Sequence, residues 1–112
     1  MILEITRGGT SDLDIQLFGD DNITPLTPDS VSKITFTFGT DEDNPVVVKE
    51  FPHDVDYNTD TQSYHLRLEQ TDTLRLFDGI MEQEKVLFKD GTVGLTDMEP
   101  LTIKPTNNAE VL

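Results

Sequence analysis

The sequence predicts an all-β protein: an antiparallel β-sandwich of immunoglobulin-like character, with about seven or eight strands and one short helical turn. Three observations carry that expectation. Apolar and polar residues alternate with period two over several short segments, no segment keeps helical spacing beyond about one turn, and turn-forming residues recur roughly every 8 to 12 positions. A small barrel would show the same pattern. At 112 residues the chain is long enough for one two-layer core and too short for two. One domain over residues 1–104 is therefore expected, followed by a polar tail, PTNNAEVL, at 105–112.

The elements follow in order. Ile2 to Thr6 is a first strand, and Gly8-Gly9 a turn that leads out of it. Leu13, Ile15 and Leu17 then alternate with Asp12, Asp14 and Gln16, as in a half-buried strand. Turn signals stand at GDDN, 19–22, and TPDS, 27–30. Ile34, Phe36 and Phe38 alternate with Lys33, Thr35 and Thr37, and GTDEDNP at 39–45 turns the chain into a strand at Val46 to Phe51. Tyr64, Leu66 and Leu68 alternate with His65, Arg67 and Glu69. Thr71 is expected to cap a single helical turn through Asp72, Thr73 and Leu74, with Leu74 and Leu76 closing one end of the core. Glu82 to Lys89 and Thr92 to Asp97 read as strands joined by a two-residue hairpin at Asp90-Gly91, since Gly tolerates the positive φ that primed turns need. Leu101 to Lys104 is the last strand, interrupted by Pro105. Phe36, Leu66 and Phe88 are expected to meet in the core from facing strands.

Composition narrows the function classes. Zero cysteines exclude disulfides, thiolate metal sites and cysteine nucleophiles, so packing alone must stabilise the fold. The start, MILEITRGGT, has neither the basic stretch nor the long apolar run of a secretory signal, and nothing approaches the roughly 20 apolar residues of a membrane span. A soluble protein made in the cytoplasm is expected. With 22 Asp and Glu against 8 Lys and Arg, the formal net charge is −14, which repels phosphate backbones and anionic lipid. Neither nucleic acid nor membrane is expected as a partner; basic protein surfaces and divalent cations are compatible with the charge, and so is simple solubility.

The stretch HDVDYNTDTQSYH, from His53 to His65, is the one segment that suggests a metal. Asp54, Asp56 and Asn58 match the opening of an EF-hand calcium loop. Thr59 stands where the loop needs Gly, His65 where it needs a bidentate Glu, and no helices flank it. A turn is the preferred reading of Asp54 to Asp60, with a looser divalent-ion site as the alternative. In the turn reading Val55 and Tyr57 face inward, the carboxylates face water, and Asn58 to Gln62 reverse the chain through side-chain to backbone hydrogen bonds. His53 and His65 are the only histidines, and His65 falls on the outward face of its strand. Gly8-Gly9 has no phosphate-loop spacing. No catalytic, cofactor-binding or metal-ligating residue is assigned, no cofactor is implied, and no enzyme is expected.

The segment from Asp56 to Val93 is the most distinctive. A turn, a Tyr64-x-Leu66-x-Leu68 strand, Gln70-x-Asp72-Thr73-Leu74-x-Leu76, Asp78-Gly79, a strand carrying Gln83, and Phe88-Lys89-Asp90-Gly91-x-Val93 follow one another. This layout resembles small phage and prophage structural proteins of Gram-positive hosts, and is similar to the immunoglobulin-like N-terminal domain of phage baseplate upper proteins. The resemblance covers the chain from about Ser30 onward and lies in fold-forming residues. It implies a virion component, a tail or baseplate adaptor or a head or neck decoration, that packs against other phage virion proteins and forms a homo-oligomer in the particle. The chain has no long helical or receptor-binding region after the domain, which favours an adaptor, plug or decoration over an adhesin. From the charge comes an alternative: a small acidic phage-encoded inhibitor that imitates DNA and blocks a host nuclease or defence protein. Val111 and Leu112, at the end of the polar tail, suggest an assembly arm that docks on a neighbour; a frayed terminus is the alternative.

Overall fold

In a computed structural model, which describes residues 3–41, 43–106 and 111–112, the alternating segments become the two inner faces of a sandwich. Nine strands and two short helical turns are present among the described residues: β1 (Leu3–Thr6), β2 (Ser11–Ile15), a 3-10 turn (Pro28–Ser30), β3 (Val31–Gly39), β4 (Pro45–Phe51), β5 (Val55–Asn58), β6 (Ser63–Leu68), α1 (Gln70–Thr73), β7 (Met81–Phe88), β8 (Val93–Leu95) and β9 (Glu99–Lys104). The larger sheet runs β1-β9-β7-β3-β4, with β8 also paired to β7, and the smaller runs β2-β6-β5. The second, sixth and fifth strands lie in one layer and the third, seventh and last in the other, which is the strand order of an immunoglobulin-like sandwich. One pairing departs from the expected antiparallel pattern. β1 runs parallel to β9, with Leu3 opposite Leu101 and Thr6 opposite Lys104.

Period two explains the core. Leu13, Ile15 and Leu17 from the smaller layer, Ile34, Phe36 and Phe38 from the larger, and Tyr64, Leu66 and Leu68 from β6 are all buried in one cluster. Tyr64 is its aromatic centre. The Phe51 ring meets it edge-on at 5.2 Å and Tyr57 lies at 4.9 Å, while its hydroxyl donates to the Leu26 carbonyl at 2.8 Å, so the buried phenol is satisfied. Burial raises its pKa. Phe36 and Leu66 are fully buried and come from opposite sheets, as expected. Phe88 differs: it lies in the same sheet as Phe36 and is only partly buried against the cluster margin.

Three local expectations are corrected. The helical turn is not capped by Thr71: it begins at Gln70, and the Asp72 carboxylate accepts the Glu69 N–H at 2.9 Å. Within it, buried Thr73 ties the turn to the β1–β2 link, accepting the Gly8 N–H at 3.0 Å and donating to the Gly9 carbonyl at 2.7 Å. The Asp90-Gly91 hairpin has three loop residues instead of two. Phe88 N–H donates to the Thr92 carbonyl and Gly91 N–H to the Phe88 carbonyl, and Gly91 alone takes a positive φ, of 90°, the geometry of a turn closed by a glycine bulge. The Asp-rich segment contains a strand, β5, instead of being all turn. At the other end of the molecule Gly39 sits at a register shift between β3 and β4, where a Cβ would lie 2.6 Å from the Asn44 carbonyl. Of the tail at 105–112, residues 107–110 lie outside the described residues; Val111 and Leu112 are exposed, and the Leu112 N–H donates to Gln70 Oε1 at 3.0 Å.

Candidate functional site

Pairing with β3 fixes which side of β7 faces inward. Val86 pairs with Ile34, Glu84 with Phe36 and Glu82 with Phe38, so all three even-numbered residues stand on the core side beside the largest apolar residues of β3. Two carboxyl groups are thus buried between the sheets, with Glu82 2% and Glu84 4% exposed. Sequence reading missed them. The signal was present, because a strand that turns Phe88 inward must also turn Val86, Glu84 and Glu82 inward.

Glu84 is held by Thr96. β8 and β9 follow the same edge of β7, β8 along Lys85 to Leu87 and β9 along Met81 and Glu82, and Thr96 fills the gap between them. Its N–H donates to the Glu84 carbonyl at 3.0 Å, its hydroxyl donates to Glu84 Oε2 at 2.7 Å, and the same hydroxyl accepts the Glu84 N–H at 2.9 Å. Gln83 Nε2 donates to the Thr96 carbonyl at 2.7 Å. Glu82 has no hydroxyl partner of that kind: its carboxyl lies against that of Glu84, and its Oε1 is buried without a hydrogen-bond partner among the described residues. Burial and then the neighbouring Glu84 carboxylate push Glu82 up to about 9, and burial raises Glu84 against the opposing hydrogen bond from Thr96. At neutral pH the pair therefore holds a proton.

Both glutamates line a cleft of about 870 Å³ that opens between the sheets, with Leu3, Ile15 and Leu17 as apolar wall. None of the cleft-lining residues is basic among the described residues.

The outer face of the smaller sheet carries the residues that the sequence offered as metal candidates, with Asp54 and Asn58 at opposite ends of β5. Asp54 closes the corner before β5: its carboxylate accepts the Glu50 N–H at 3.1 Å and contacts His53 Nδ1 at 2.8 Å, and that contact lowers its pKa. Asn58 closes the corner after β5, its Oδ1 accepting the Asp60 N–H at 2.9 Å and the Thr61 N–H at 3.4 Å. Val55 is buried and Tyr57 half-buried, while Asp56 points to solvent. Gln62 takes a φ of 53° in the reversal. Asp54 and Asn58 thus serve two different corners, while Asp54 and Asp56 line a shallow depression of the outer face together with Asp12, His65 and Arg67. Among the described residues, no three His, Asp or Glu side chains are placed to hold a metal ion.

His65 lies on this outer face between two acidic strands, opposite Asp14 on β2 and Asp56 on β5. Its Nδ1 is 2.9 Å from Asp14 Oδ1 and its Nε2 3.4 Å from Asp12, which also receives Arg67 Nε at 3.1 Å. The hydrogen bond to Asp14 raises the imidazole pKa. His65 is half-exposed and paired with Asp14 and Asp12. Gly8-Gly9 is a turn that anchors Thr73. No known protein family matches the chain, and no curated protein resembles it significantly in sequence.

Proposed function

We propose that the protein is a structural subunit of a bacteriophage particle, a tail or baseplate adaptor or a head or neck decoration, that works by packing against other virion proteins. The phage assignment is supported by the resemblance of Asp56 to Val93 described above. The packing role is supported by one observation on the outer face of the larger sheet. There Leu87 pairs with Val93 and Lys85 with Leu95, and Val93 and Leu95 are 56% and 64% exposed. Met81 and Val48 continue the exposed apolar surface on the same side. Where β8, β7, β3 and β4 lie side by side, the outward charges are Lys33, Lys85 and Glu50 alone, whereas the opposite outer face presents Asp12, Asp14 and Asp56. A chain of net charge −14 thus keeps one face poor in acid and rich in exposed aliphatic residues, as a surface meant to be covered requires.

The test is incorporation of a Val93→Asp/Leu95→Asp variant into particles beside wild type. Both positions are exposed, so melting is expected to move by no more than about 2 °C, while incorporation is lost. Normal incorporation would remove this face from the assembly. Absence of the wild-type protein from purified particles would instead sink the virion reading and favour the DNA-mimicking inhibitor.

A further inference from the structure

We infer that the cleft between the two sheets is a binding site for an alkylammonium or alkylguanidinium group, such as a lysine or arginine side chain or a free polyamine carries. The site opens between the layers and meets the outer face assigned above to packing at one residue of its rim, Leu95.

The first observation is the orphaned oxygen. Glu82 is 2% exposed, and its Oε1 has no hydrogen-bond partner among the described residues. A buried carboxyl oxygen left unmatched is destabilising, and folded proteins keep few such atoms. An incoming N–H donor would satisfy it. The second observation is the sign of the surroundings. Glu84 stands next to Glu82 on β7, Glu99 is on β9, Asp97 on the link between β8 and β9, Asp14 on β2, and Asp20 in the loop that follows. Every ionisable group lining the cleft is acidic among the described residues, so the cleft attracts cations and rejects anions.

Shape selects among cations. Leu3, Ile15 and Leu17 give the cleft an apolar wall above its carboxyl floor. That combination matches a charged head on an aliphatic stem, which buries its methylenes against apolar surface and carries its charge at the tip. A bare divalent ion fits less well. Calcium takes six to eight oxygens in a compact shell, and no three acidic side chains are gathered in that way among the described residues. At about 870 Å³ the cleft also has the capacity of a site for an organic group.

The chemistry closes without a co-reactant. Glu82 is protonated at neutral pH because of burial and Glu84, and an arriving ammonium or guanidinium stabilises its carboxylate form. The proton leaves to the buffer as the cation seats, so binding is coupled to proton release and strengthens as pH rises.

The experiment uses the full-length ¹⁵N-labelled protein titrated separately with Nα-acetyl-lysine methylamide, Nα-acetyl-arginine methylamide, spermidine and calcium chloride. Calorimetry in two buffers of different ionisation heat counts protons. The expected result is saturable shifts at the amides of Glu82, Gln83, Glu84 and Thr96 with at least one of the organic cations, and release of up to about one proton. Glu82→Gln, which keeps the shape, should weaken that binding by about tenfold or more, since a charged hydrogen bond is lost. Saturation by spermidine alone would identify a free polyamine as the source; saturation by the lysine or arginine derivative would identify a side chain. The inference is overturned if no organic cation gives saturable shifts there, if Glu82→Gln binds as wild type does, or if calcium alone saturates the same amides. Amide spectra of the variant, unchanged away from the cleft, show that it remains folded.

Discussion

Replacing Glu82 by Gln should stabilise the protein, and should do so increasingly as pH rises. The sign follows from where the proton sits. The carboxyl titrates near its ordinary 4.5 once unfolded, whereas in the fold burial and Glu84 hold it up to about 9. Between those values the folded chain keeps a proton that the unfolded chain releases. Stability is therefore fully present below about 4.5, falls as pH rises, and levels off above the folded value. Each pH unit in that window is worth about 1.4 kcal/mol for one proton, so the loss from pH 4.5 to 7 is on the order of 3 kcal/mol. Gln fills the same space, offers the same region a neutral group and does not titrate. The variant should match wild type to within about 1 kcal/mol at pH 5 and exceed it by about 2 to 3 kcal/mol at pH 7. Urea denaturation of both proteins at pH 5, 6, 7 and 8 measures this. The general self-repulsion of an acidic chain affects both proteins and largely cancels in the difference. Parallel stability curves would refute the placement of Glu82, and a variant less stable at every pH would show that the carboxylate has a compensating partner.

Three further outcomes are expected. Phe36→Ala should cost about 3 to 5 kcal/mol, because the ring is wholly enclosed, and Phe88→Ala less than half of that, because its ring lies at the margin; denaturant midpoints at constant slope decide it. The His65 ring should titrate above 6.5, because Asp14 bonds it, and in Asp14→Asn that pKa should fall toward 6.5. The stability this contact gives is present below the unfolded value and lost as pH rises through the folded one, and it is small because the ring is half-exposed; the NMR titration of the ring protons would contradict the assignment if the two proteins coincided. Millimolar calcium should leave the melting temperature within about 2 °C, whereas calcium at 100 times its dissociation constant would add about 2.7 kcal/mol; a rise of several degrees that disappears in Asp56→Ala would show a site where the geometry places two separate corners.

The sandwich was legible because period two is a direct consequence of strand geometry. Nine alternating residues on β2, β3 and β6, with Leu17 just beyond β2, pointed inward as their spacing required. β5 was hidden because only Val55 and Tyr57 carry its pattern, and Asp56 and Asn58 are poor strand formers whose turn chemistry dominates the reading. The carboxyl pair was hidden for a different reason. β7 has apolar residues of both parities, Met81 and Leu87 outward and Val86 and Phe88 inward, so no alternation marks Glu82 and Glu84 as buried. Only the inward placement expected of Phe88 carried their parity, and pairing with β3 fixes it. Thr71 looked like the helix cap because it is a hydroxyl residue before a helical run; the carboxylate of Asp72, reaching back to Glu69, does that task instead. The parallel pairing of β1 with β9 leaves no trace in local sequence, since it joins residues almost a chain length apart.

That same pairing decides how the protein bears a load. The chain enters β1 at Leu3, opposite Leu101, and leaves β9 beyond Lys104, opposite Thr6. Tension applied through the two ends pulls these strands along their length in opposite directions, so their ladder is loaded in shear, with all its hydrogen bonds sharing the force at once. An antiparallel pairing at this place would open one bond at a time, like a zip. The fold therefore resists extension along the strands far better than peeling across them, a property of use to any subunit held between neighbours that move apart.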